Sequence, residues 1–136
     1  MKFYTLILAI VLIGCTQSID TSAPDSVANK FYDALMKNNI KSARNLIINM
    51  SNLEDDGTTS FDVKSYKIFK TVIVKKKAII TTETTYSMGK ISFDTILEEN
   101  NGIWKVNLPA TMNNMARGAM KNNHINGQVE LHIDQK

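Results

Sequence analysis

The chain contains one cysteine, Cys15, and two histidines, His124 and His132. With no second cysteine to pair with, Cys15 cannot close an internal disulfide. No histidine precedes residue 124, so neither a His-rich metal cluster nor a Ser-His-Asp arrangement can be built into the central part of the chain. Neither sign of charge dominates. Lys+Arg number 16 against 13 Asp+Glu, an excess too small to argue for a nucleic-acid partner, and none is expected. The early apolar run Thr5–Ile13 is short. At about 1.5 Å per residue it falls far below the roughly 30 Å of a bilayer core, too little for a stable transmembrane helix.

What is present begins with that run. Lys2 supplies a positive start, Thr5–Ile13 an apolar centre, and "LIGC" follows at 12–15, the pattern of a cleaved signal peptide. Leu12, Ile13, Gly14 and Cys15 resemble the bacterial lipobox. That resemblance implies a diacylglyceryl thioether on Cys15, cleavage between Gly14 and Cys15, and an acyl chain such as palmitate on the new amino terminus. Two chains already suffice for stable anchoring, at about 0.8 kcal/mol per buried CH₂. The thiol is then neither nucleophile nor metal ligand. Residues 1–14 are read as the signal and 15–23 as a lipidated polar tether. The mature chain keeps 122 residues, enough for one domain with its own core. Retention in the inner membrane of two-membrane envelopes is associated with Asp after the lipidated Cys. Thr16 and Gln17 stand there instead, so the outer membrane, facing the periplasm, is the expected location in such a host.

"SAPD" at 22–25 reads as a helix start, with Ser22 as cap, Pro24 in the first turn and Asp25 at the positive dipole end. Val27, Phe31, Ala34 and Leu35 then form one apolar stripe. "KNN" at 37–39 closes this helix, and a second is expected from about Ile40 to Met50. "SNLEDDGTTS" (51–60) is a turn-rich break. Beyond it the period becomes two, predicting strands at 63–74, 78–86, 90–99 and 103–108. "KKK" (75–77) and "SMGK" (87–90) are the first two connections. Asn101-Gly102 signals a type I′ turn between the last two strands. The sum is an α+β domain, two helices followed by an antiparallel four-strand meander. In the tail, Met112, Met115, Ala116, Ala119 and Met120 fall at helical spacing, and "QVELHID" (128–134) alternates like a strand.

"PDSVANKFYDALMKNNIKSA", the long hairpin and then "NNGIWKVNL" resemble small lipoproteins of the nuclear transport factor 2-like (cystatin-like, lumazine-binding-like) superfamily, including domain-of-unknown-function families. The likeness spans 24–108. It implies a helical hairpin packed on a curved antiparallel sheet of four or more strands, enclosing a cone-shaped cavity. Phe31, Tyr66, Phe69, Phe93 and Trp104 are the aromatic residues available to line it. Residues 109–136 are an extension beyond that pattern, a short helix and a possible strand.

Superfamily enzymes carry acid/base groups on the inner wall, which makes Asp62, Glu83, Asp94, Tyr32, Tyr66 and Tyr86 the candidates here. Alternation places Glu83 with Ile79, Thr81 and Thr85, and Asp94 with Ser92, Ile96 and Glu98, on the polar faces of their strands. A carboxylate without apolar surroundings is a poor catalyst, and no catalytic residue is assigned. The tail methionines with His124 and His132 suit Cu(I) in ligand type. A buried helix face, which Met fills readily, explains the same spacing, so no metal or cofactor is expected. Lys64, Lys67, Lys70 and Lys75–Lys77 gather six cations around the first hairpin, either as solvated edges that discourage aggregation or as a contact for anionic lipid or envelope polymers. The expectation is an envelope lipoprotein acting as a non-catalytic binding or assembly module for a small molecule or an envelope protein. The alternative is a small-molecule carrier or rudimentary enzyme using the cone.

Overall fold

Pro24 and Asp25 open the first helix in the computed structural model, which describes residues 20–49 and 61–133, with side chains up to residue 122. The signal, the lipobox, most of the tether, Met50 and the break at 51–60 lie outside the described residues, as do the side chains of His124 and His132. Helix α1 spans Pro24–Met36. Its stripe of Val27, Phe31, Ala34 and Leu35 is buried as expected, and Ala28 and Tyr32 widen it. Ser22 does not cap the helix; its hydroxyl donates to the Asp20 carboxylate (2.5 Å). Asn38 takes the left-handed conformation (φ 52°) that ends the helix.

Helix α2 is shorter than its apolar spacing predicts, Ile40–Asn45, capped by the Asn39 side chain accepting from Ser42 N (3.1 Å). The chain leaves the helix because another partner takes its backbone. Val106 N donates to Leu46 O (2.7 Å) and Ile48 N to Val106 O (2.9 Å), so Ile47 forms a parallel bridge to Val106. Leu46 and Ile47 are buried there.

The sheet has the order β1-β2-β3-β4, every pair antiparallel: β1 Val63–Val74, β2 Lys77–Tyr86, β3 Gly89–Asn100 and β4 Ile103–Val106. Asn101 (φ 52°) and Gly102 (φ 77°) both have the positive φ that the type I′ turn requires. The first connection is tighter than expected, since Lys77 already belongs to β2. Registers of Ile80 with Thr95, Thr82 with Phe93 and Leu97 with Val106 put these residues on one face, together with Ala78, Thr84 and Trp104. All are buried, beneath α1 and in one core with Ala43, Leu46 and Ile47. Trp104 is 6% exposed, as its position in the "IWKV" strand predicts.

β4 stops at Val106 because Asn107 caps helix α3, Leu108–Ile133, its side-chain oxygen accepting from Ala110 N (3.1 Å). Two expectations for the tail need correction. Residues 128–133 are helical rather than a strand; a helix satisfies its backbone internally, whereas an alternating run needs an open strand edge to pair with. The Met/Ala stripe is buried only in part: Met115 packs against the core, whereas Met112 and Met120 are 52% and 70% exposed. α3 instead follows the edge of β3 that the short β4 leaves open. Ile96 N donates to Thr111 Oγ1 (3.0 Å), Asn114 Nδ2 to Asp94 O (3.1 Å) and Asn122 Nδ2 to Lys90 O (3.1 Å). A strand edge presents polar groups, so the helix face that meets it is polar.

Candidate functional site

The wall between α1 and the sheet carries hydroxyls among apolar side chains. The Tyr32 hydroxyl and Thr95 Oγ1 share a hydrogen bond of 2.5 Å, Thr95 and Thr82 one of 3.0 Å, and Thr82 donates onward to Ile80 O (3.1 Å). Tyr86, at the end of the same row, donates to the Met115 sulfur (3.3 Å). Thr84 Oγ1 is buried beside the Tyr86 hydroxyl and has no hydrogen-bond partner within normal geometry among the described residues. Burial pushes the pKa of Tyr32 and Tyr86 upward. Tyr66 stacks on Tyr32 (5.1 Å between centroids, 27° between planes) and reaches Asn29 Oδ1 (3.0 Å) and Asp33 Oδ1 (2.9 Å). Burial, helped by the Asp33 carboxylate, raises its pKa to about 12. All three tyrosines are therefore neutral donors near neutral pH.

The expected cavity-lining aromatics divide. Phe31, Phe93 and Trp104 are buried in the core and Tyr66 is half-buried. Phe69 is 54% exposed. The register shift between Ile68 and Lys70 makes it the extra residue of a β-bulge, outside the inward alternation, and the Lys67 ammonium sits 4.9 Å from its ring centroid. A cavity bordered by Phe31, Ile40, Ile47, Phe61 and Leu108 holds about 10 Å³, room for no more than a single water. Arg44 lines it too, with Nε and Nη2 buried and unbonded among the described residues. Sequence reasoning missed Arg44. Its only signal is a cation beside Ala43 on the inner face of a short helix.

The carboxylate candidates do not converge on this wall. Asp62 accepts from Lys64 Nζ (2.7 Å) and from Ser87 N and Oγ (both 2.9 Å), tying the start of β1 to the β2–β3 turn. The Lys64 hydrogen bond and those of Ser87 lower its pKa to about 2. Glu83 meets Lys90 (3.3 Å) and Asp94 accepts from Thr81 Oγ1 (3.1 Å), both on the sheet face opposite the core. Met115 is engaged by Tyr86, and among the described residues no group of three or more His, Cys, Asp or Glu side chains is placed to hold a metal ion. No described helix is long and apolar enough to cross a membrane. Neither the known protein-family models nor the curated proteins contain a match to this chain.

Proposed function

We propose that the chain is an envelope lipoprotein, anchored through acylated Cys15, whose α+β domain is a nuclear transport factor 2-like module for binding or assembly rather than catalysis. The observation that carries the anchoring is "LIGC" placed directly after the Thr5–Ile13 run. With Thr16 and Gln17 after the cysteine, the protein resides in the outer membrane, facing the periplasm, where the host has two membranes. The order of two helices, a meander and "NGIWKV" at the last hairpin supports the superfamily reading. The non-catalytic reading is supported by Tyr32, whose hydroxyl is bound to Thr95, and by Glu83 and Asp94, which face away from the tyrosines.

A second reading, a small-molecule carrier or rudimentary enzyme, is favoured by the unbonded hydroxyl of Thr84 on the inner wall. Buried hydroxyls ordinarily find partners, and a ligand is one way to supply one. Native mass spectrometry of the protein purified from its host separates the two. The mass of the chain with its acyl groups alone is the outcome expected for the module. A stoichiometric additional small molecule replaces it with the carrier.

A further inference from the structure

The end of the sheet that carries the β1–β2 and β3–β4 turns combines three features. Aliphatic side chains stand in water there: Ile73, Val74 and Ile103 are 54%, 56% and 46% exposed. Ile73 is in register with Ala78, on the face that elsewhere holds the core, so the helical layer stops short of it. Lys75, Lys76 and Lys77 follow at once, and among the described residues none of them joins an ion pair. Glu98 and Glu99 run alongside, Glu98 in register with both Lys77 and Lys105. They accept from the Asn107 amide (2.8 Å) and Gly102 N (2.9 Å) and keep their charge. The end of the sheet therefore stays positive only by the excess of Lys75, Lys76, Lys77 and Lys105 over these two carboxylates. Third, the polar segment enters the domain at this end. Trp104 N donates to Thr21 O (2.9 Å), Trp104 is in register with Glu99, and Glu99 N donates to Lys76 O (2.9 Å).

We infer that this end of the sheet docks on an anionic phospholipid surface. Ile73, Val74 and Ile103 meet the acyl boundary, and Lys75–Lys77 meet the phosphates. Apolar tips collared by lysines match the two layers of a bilayer interface. A folded acidic partner fits less well. Ile73 lies on one sheet face and Val74 and Ile103 on the other, which makes a wedge rather than a flat patch. The docking stands on the hairpin alone; its orientation also rests on the lipoprotein reading. From Asp20 back to Cys15 is at most about 17 Å of extended chain, which holds this end of the sheet at the membrane.

The test uses the full chain in vesicles of phosphatidylcholine with brominated acyl chains, with or without phosphatidylglycerol. Tryptophan is introduced as Val74→Trp at the tip or Met88→Trp at the opposite end, over the constant background of buried Trp104. Val74→Trp fluorescence should be quenched markedly more when phosphatidylglycerol is present than when it is absent, and Met88→Trp fluorescence should be quenched in neither case. Replacing Lys75, Lys76 and Lys77 by Gln together should lower the ratio of docked to undocked molecules roughly a hundredfold. Equal quenching at both positions, or quenching indifferent to phosphatidylglycerol or to the lysines, overturns the inference. The mass of the same chain records acylation of Cys15 separately. An unacylated chain therefore defeats the anchor while the hairpin result stands.

Discussion

Thr84 and Thr95 occupy the same buried wall; Thr95 is hydrogen-bonded, whereas Thr84 has no partner among the described residues. That difference fixes opposite signs for the same substitution. Thr84→Val keeps the shape and removes a desolvated, unpaired hydroxyl, and should stabilise the fold by about 1 kcal/mol. Thr95→Val deprives Tyr32 and Thr82 of their shared partner and should cost about 1–3 kcal/mol. Urea midpoints at constant slope measure both, and a loss of stability in Thr84→Val would show that its hydroxyl is satisfied after all. Alternation alone puts Thr82, Thr84 and Tyr86 on one face. It cannot show that Tyr32 reaches Thr95 across 63 positions of sequence, which joins Tyr32 to the hydrogen bonds that run through Thr95 and Thr82 to Ile80 O.

Strands and turns were legible because each is a local device: β-branched alternation for β1 to β3, positive φ at Asn101-Gly102 for the last hairpin. Elements whose extent depends on a neighbour were not. α2 gives up its last turn to pair with β4, and α3 turns a polar face to the open edge of β3 although its apolar residues suggest the contrary. The sequence does carry the signal, as Thr111, Asn114, Gly118 and Asn122 at spacings of three and four. It becomes readable only once β4 is known to be four residues long. Gly118 completes that face: a Cβ there would come within 2.5 Å of Ser92 O, a backbone atom. In a free helix Gly→Ala gains about 0.5–1 kcal/mol. Here Gly118→Ala should cost about 1–3 kcal/mol through overpacking. Thermal unfolding reads the sign, and a raised midpoint would mean that α3 does not lie on β3 as described.

For the whole molecule, the sheet divides its tasks between ends and faces. One face, beneath α1, holds the core; the opposite face carries Glu83 and Asp94; the end with the lysine turn receives the segment that leads back to Cys15. The α+β class was legible in the change of period after residue 60. The Tyr32–Thr95–Thr82 hydrogen bonds and the exposure of Phe69 were not, since they depend on cross-strand register and a bulge. Mass spectrometry of the amino-terminal peptide of the mature protein, isolated from the host's membranes, decides whether the chain is processed and anchored at Cys15. The mature chain should begin at Cys15 with a diacylglyceryl thioether on its sulfur. A mature chain that begins elsewhere, or a Cys15 with a free thiol, would contradict the anchoring.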